Sequence, residues 1–534
     1  MRRLTSPFTN TDTRSTLNFG RNFTNDPKTN TQGTGLATLL IGYSTGGSRG
    51  FLITPYYMTN QDHAMFIQDD WKVSSRLTVN LGLRYDLFLP DVEVRDRLTN
   101  FDQVALKLIY AGEDGVSRTV NKKYSKKDFA PRVGFAWDMF GTATTIIRGG
   151  FGISFFPVQA SGSNLLGQQV PYTISQNFAP ETNPTDWAKV PMISNPFPPI
   201  QPIKPKTTAE LNAANPRVIG HDLGKFPSYM ETWNLDVQQQ LSKTVVWEIS
   251  YAGSRGIHLP IGNNMNEVQP GTGSQASRRL IQPLNNLSNF TLFLNRNMST
   301  YHGMQTKVSK RFSQGFLFLS SYTWSKSLDF GGSAASGGGS SGNPQTVTNL
   351  RAGRGASGFD VRHRWITNYV YELPFGPGKR WATGGAPATI IGGWQMSGIA
   401  TLSTGRPFNV SLATGVNSGA PSWPNRIGDG RLDNPTADKW FDYSAFAAPP
   451  ANTYGNVARG VLYAPGIVQF DMSFTKNFKV TERVKVEFRF DAFNMFNTPL
   501  LGFPNASIGS PTVGKITSTN GDNRDLQFAL KINF

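Results

Sequence analysis

Long segments of two-residue alternation recur through this chain, and nothing else in it restricts the fold as tightly. In RLTVNLGLRYDLF (76–88), Leu77, Val79, Leu81, Leu83, Tyr85 and Leu87 share one side, while Arg76, Thr78, Asn80, Gly82, Arg84 and Asp86 share the other. Side chains alternate across a strand, so this segment is a strand with one apolar face. Val484, Val486, Phe488 and Phe490 are set against Lys485, Glu487, Arg489 and Asp491 in the same way. The closing NRDLQFALKINF puts Leu526, Phe528, Leu530, Ile532 and Phe534 on one side. About thirteen such segments can be read, and a doubtful further strand lies within 36–58, giving about fourteen. No comparable window carries a helical period; TTAELNAAN (207–215) is a short helical stretch inside a loop.

Length sets these segments apart. They run about 8–13 residues, whereas strands of soluble proteins have a mode of about 5–6. About eleven residues at roughly 3.3 Å each, tilted near 45°, rise about 26 Å. That matches the apolar band of an outer-membrane barrel, about 25 Å tall.

The connections alternate between brief and extended. Brief links lie near 73–75, 141–145, 242–243, 313–315 and 479–483, with 374–393 longer than the rest but in the same order; extended ones cover about 89–130, 156–230, 253–300, 329–362, 403–465 and 497–523. Short turns at one end of an antiparallel array and long loops at the other describe a transmembrane antiparallel up-and-down β-barrel. With the brief turns periplasmic, the last strand returns to the periplasmic rim, where pairing with the first strand closes the barrel and leaves no edge. The charged row Lys485, Glu487, Arg489 and Asp491 is ruinous in a dry core and cheap beside water. Trp71, Phe88, Phe155, Phe156, Trp324, Trp365, Trp381 and Trp394 fall near segment ends, where interfacial girdles place aromatics. The Gly- and Ser-rich stretch 329–349 reads as a mobile loop.

Composition removes other classes. The longest apolar runs, such as LATLLIGY (36–43), fall far short of the roughly 20 residues of a membrane helix. Cysteine is absent, which removes disulfides and thiolate chemistry. The net charge of +17 is spread over single basic residues. Their closest cluster, NKKYSKKDFAPR (121–132), has no nucleic-acid-binding motif beside it. GYSTG (42–46) fits a nucleophile elbow, but the following TGGSRG is no helix start; GRGASG (353–358) lacks a βαβ context. His63, His221, His258, His302 and His363 are scattered, and the Asp residues of 427–433 and 520–525 serve as well for turns as for calcium. No catalytic, cofactor or metal residue is assigned, and no enzyme is expected.

At this point MFIQDDWKVSSRLTVNLGLRYDLF (65–88), FAPRVGFAWDMFG (129–141), TIIRGGFGISFF (145–156), SSYTWSKSLD (320–329) and GGWQMSGIATLSTGRPFNV (392–410) become informative together. With WFDYSAFAAPP (440–450) and the ending FNMFNTPLLGFPN…LQFALKINF, they resemble the barrel of TonB-dependent outer-membrane receptors of the Oar-like type over essentially 60–534. The resemblance implies a 22-stranded barrel with an N-terminal plug preceded by a TonB-contacting segment. No secretory signal, TonB box or plug is recognisable ahead of the strands. The expectation is therefore the C-terminal ~14 strands of a longer receptor, with 1–60 as an N-terminal loop and possible first strand and 61–534 as the barrel. In that family a C-terminal aromatic is read by the barrel-assembly machinery, which assigns that signal to Phe534. Other expected partners are outer-membrane lipid and lipopolysaccharide, TonB in the full-length parent and an unidentified bulky ligand, with no nucleic acid. The expected location is the bacterial cell outer membrane. The alternative is a structural or adhesive outer-membrane barrel without energised transport.

Overall fold

The computed structural model describes residues 2–8, 15–26, 28–29, 31–52, 56–157, 163–178, 187, 190–194, 202–224, 227–332, 344–479, 481 and 483–534. One sheet of seventeen strands dominates. Three of these are short attachments, Val92–Glu93, Val218–His221 and Gly355–Ala356, which leaves fourteen principal strands. In chain order they are β1 (Arg2–Phe8), β2 (Tyr56–Lys72), β3 (Leu77–Phe88), β4 (Asp128–Asp138), β5 (Thr145–Phe156), β6 (Ser228–Gln240) and β7 (Val245–Asn263). They continue as β8 (Phe290–Ser313), β9 (Phe316–Asp329), β10 (His363–Glu372), β11 (Trp394–Ser403), β12 (Ile467–Lys479), β13 (Lys485–Phe493) and β14 (Asp525–Asn533). Each pairs antiparallel with the next, from β1–β2 through to β13–β14. Brief and extended connections alternate along the chain, the link 373–393 with its helix being the longest on the brief side.

Register carries one set of side chains across the whole sheet. Leu81 opposes Val133, Phe151 opposes Trp233, Leu235 opposes Tyr251, Met396 opposes Phe474, and Phe490 opposes Phe528. On the other face Asp236 opposes Ser250, Glu248 opposes Lys307, Thr475 opposes Arg489, and Glu487 opposes Lys531. Glycine lets rings lie flat on the apolar side: a Cβ at Gly253 would stand 2.3 Å from the Trp233 indole.

Three expectations need correction. The closing pair is not formed: among the described strands β1 pairs only with β2, and β14 only with β13. With seven residues, β1 reaches only Tyr56–Asp62 of β2 and leaves the rest of that edge uncovered. The strand within 36–58 does exist, at Gly46–Leu52, but it joins Thr16–Asn18 and Thr173–Phe178 in a separate three-stranded sheet. The fourteenth principal strand is instead β1. Finally, 253–300 is not all loop, because β7 and β8 continue as a paired ladder out to Asn263 and Leu292.

That extension explains where the protein core sits. The largest fully buried side chains include Phe101, Leu211, Ile261, Leu284, Phe290 and Phe441, in the extended connections or at the far ends of β7 and β8. Phe101, Leu211, Ile261 and Phe290 belong to one cluster, and Phe408, Phe441, Phe446 and Leu462 to another. The sheet spends its apolar face outward, so only the loops are left to pack against one another. They form a cap on the long-loop side. The expected helix is there, Thr208–Ala214, started by a Thr207–Glu210 capping box. Of the stretch read as mobile, 333–343 lies outside the described residues, while Gln345 and Thr346 are buried in the cap.

Candidate functional site

The polar face of the sheet is a wall of paired charges. Lys307 Nζ lies 2.6 Å from Glu248 Oε2, Arg489 Nε 2.8 Å from Asp491 Oδ1, Arg148 Nη1 3.5 Å from Asp236 Oδ1, and Arg84 Nη2 2.9 Å from Asp86 Oδ1. Such pairs suit a water-lined lumen, where neither partner bears the full cost of desolvation.

The outer face is mostly apolar, and several of its polar side chains bond laterally. Trp247 Nε1 donates to Thr306 Oγ1 at 2.8 Å, and Trp365 Nε1 donates to Ser320 Oγ at 2.8 Å. Tyr251 Oη and His302 Nδ1 are 2.7 Å apart, as are Tyr322 Oη and His363 Nδ1. In lipid no water exists to satisfy these groups, so each must find a neighbour. Sequence reading missed these pairs because strand register is needed to see them. At the short-turn end, the helix Gly385–Ile391 is tied to this face by Lys476, whose Nζ donates to the Ile390 carbonyl at 2.7 Å. Of the girdle candidates, Trp71, Phe155, Trp324, Trp365 and Trp394 do project outward by register. Phe88 and Phe156 do not; they stand on the lumen side with Asp62 and Ser228.

Both line a cavity of about 110 Å³ at the long-loop rim of the lumen. Its floor is the upper lumen face of β2 to β5, with Asn60 and Asp128. Its roof comes from loop residues Asp91, Lys122 and Asp222. Asn60 Nδ2 donates to Asp91 Oδ1 at 3.1 Å, and Lys122 Nζ is 3.9 Å from Asp91 Oδ2. Burial pushes the Lys122 ammonium below the ordinary lysine value, against the opposing pull of Asp91. Asp128 is 3% exposed and stands directly opposite Asp86, itself 2% exposed, across β3 and β4. Asp222 Oδ1 accepts from the Gly224 N–H at 2.9 Å, while Arg296 Nε stays 3.9 Å from Oδ2. The basic stretch 121–132 thus finds its place as part of this roof. Asn60 and Asp222 carried no sequence signal, being lone residues far apart in the chain.

The remaining motifs are structural. The Ser44 hydroxyl is fully buried and donates to the Gly46 carbonyl at 2.6 Å, so it is no exposed nucleophile. Gly353, in the second glycine motif, accepts from Arg459 Nη1 at 2.7 Å. Among the described residues no group of three or more His, Asp or Glu side chains is placed to hold a metal ion.

An up-and-down sheet with an outward apolar face, a charged inner face and long loops gathered at one end is a membrane-spanning barrel wall of the bacterial outer membrane. The family model for the outer membrane beta barrel domain matches residues 1–527, and the chain belongs to that family, which is one of membrane barrels and not of enzymes. No curated protein matches it. Similar solved structures include the pyoverdine outer membrane receptor FpvA from Pseudomonas aeruginosa PAO1, at 10% identity and TM-score 0.41, covering 90% of this chain and 43% of that one. The FrpB iron transporter from Neisseria meningitidis gives 11% identity and TM-score 0.39, with 92% and 52% covered. The outer membrane transporter YddB from Escherichia coli gives 9% and 0.40, with 91% and 50% covered. The chain spans about half the length of these structures.

Proposed function

We propose that this chain is the barrel portion of a TonB-dependent, Oar-like outer-membrane receptor. Its extracellular cap binds a bulky ligand and hands it to the lumen, and TonB supplies the energy in the full-length parent. The observation that carries the reading is the rim cavity, which sits where loop cap and charged lumen meet. The open edges of β1 and β14 support a larger barrel, because an unpaired strand edge in lipid leaves backbone groups unsatisfied. Residues 61–534 then belong to the barrel wall and its loops, with 1–60 as an N-terminal loop that carries the first strand, β1. Phe534, following Ile532 on the outer face, serves as the barrel-assembly signal.

The test is uptake in the source bacterium. Cells with the intact gene, cells lacking it and cells lacking TonB are compared for depletion of solutes from a defined medium. The same solute class should stop being taken up in both mutants. Ligand capture at the surface that persists without TonB, with no accumulation inside, would instead establish the adhesive barrel.

A further inference from the structure

We propose that the rim cavity is a subsite for a cationic, donor-rich group of the ligand, an ammonium or guanidinium, held by Asn60, Asp128 and Asp222. The inference rests on the receptor reading for its biological setting, but its chemistry stands on the cavity alone. Three oxygens from three distant parts of the chain, Asn60 Oδ1, Asp128 Oδ1 and Asp222 Oδ2, are buried with no hydrogen-bond partner. All three residues line the one cavity.

Asp128 decides the sign of the charge. It is 3% exposed, so bulk water does not reach its carboxylate. Asp86 faces it across the strand pair and has both oxygens engaged by Arg84 Nε, at 2.9 and 3.0 Å. A second anion entering beside Asp128 meets repulsion from Asp128 and Asp222, and the Lys122 ammonium of the same lining already faces Asp91. A hydroxyl brings one donor and an amide at most two, against three unpartnered oxygens. An ammonium offers three N–H donors and a guanidinium five, and neither carries an acceptor. Phe88, Phe156 and Phe293 share the lining and suit a cation over their faces.

Size narrows the choice further. A bare calcium ion needs six to eight oxygens at about 2.3–2.6 Å, and among the described residues no group of three or more His, Asp or Glu side chains is placed to hold a metal ion. An organic cation bonds at longer distances. About 110 Å³ admits its head and a short stem, not a whole ligand.

The test uses the full chain refolded in detergent micelles, with n-butylammonium as probe and n-butanol and butyrate as its neutral and anionic counterparts. Saturation-transfer NMR and calorimetric titration should show saturable binding of butylammonium alone. Asp128→Asn should weaken it at least tenfold, Asn60→Asp should tighten it severalfold, and Asp433→Asn, in an exposed loop, should change nothing. Heat-modifiable migration reports whether each variant folds; if Asp128→Asn does not, the Asn60→Asp result decides. Equal binding of butanol, indifference to these substitutions, or no binding at all would overturn the subsite and leave ordered water as the partner of the three oxygens. Ammonium binding without TonB-dependent uptake would sink the receptor reading alone, and uptake without ammonium binding would sink only the subsite.

Discussion

Leu235 offers the sharpest test that lipid covers the apolar side of the sheet. It lies near the middle of β6, opposite Gly149 and Tyr251, and is 48% exposed with no protein packed over it. If that face met water, Leu235→Arg would be an ordinary surface change worth less than about 0.5 kcal/mol. If it meets hydrocarbon, an arginine near the midplane costs about 2–4 kcal/mol. The neighbouring Asn234 is also exposed and points to the lumen, so Asn234→Arg provides the matched control and should stay near zero. The assay is reversible folding into short-chain phosphatidylcholine vesicles, followed by tryptophan fluorescence and heat-modifiable migration. With a denaturant slope of about 1–3 kcal/mol per molar, Leu235→Arg should lower the midpoint by about one molar or more. Equal, small shifts for the two variants would refute the assignment of faces, and with it the membrane barrel.

Glu93 is fully buried in the cap and accepts from the Tyr57, Arg95 and Arg97 N–H groups and from the Arg97 guanidinium. Burial alone would raise its pKa, but Arg97 and these backbone donors outweigh burial and hold it below the ordinary 4.5. A depressed folded pKa gives stability that is present above 4.5 and lost as pH falls through the folded value, so hydrogen-exchange protection around 90–97 should drop in that acid range. Glu93→Gln, costing about 1–3 kcal/mol, should abolish the dependence. Tyr251→Phe strands His302 and the Trp233 indole N–H on the outer face and should destabilise the folded barrel by about 1–3 kcal/mol, whereas Tyr251→Phe with His302→Leu should recover the His302 part of the loss in the same vesicle assay. Phe534→Ala should lower the amount of heat-modifiable barrel in outer-membrane fractions while leaving vesicle refolding in vitro nearly unchanged; a parallel loss in both would make its role one of stability.

The sheet was legible because its physics is local. Alternation fixes a face within each strand, and loop parity fixes how the strands connect. β1 was not legible: RRLTSPF is short, carries Pro7, and has no apolar side to read. The cap escaped for a different reason. Phe101, Leu211 and Phe290 each sit between polar neighbours in sequence, and with Ile261 they form a core only once separate segments meet. Of the rim cavity, only the basic cluster at 121–132 could be noticed in advance. Asn60, Asp128 and Asp222 become a set through register and loop packing, neither of which a single sequence displays.

The two halves of the molecule draw on different solvents for their stability. The sheet has little protein core of its own, since its apolar side chains point outward and its charges line water. The cap is packed in the ordinary way, with buried aromatic and aliphatic clusters. Two features join them. The β7–β8 ladder runs from the sheet into the cap, where it contributes Ile261, Phe290 and Leu292 to the core. Arg459, almost fully buried, bridges the cap carbonyl of Gly353 to Asp329 at the end of β9, 2.9 Å from its carboxylate. A cap held this firmly keeps the loop groups of Asp91, Lys122 and Asp222 in place over the strand groups of Asn60 and Asp128 before any ligand arrives. The cost of ordering the loops is thus met in folding and is not drawn from binding, which is what a site for a dilute solute requires.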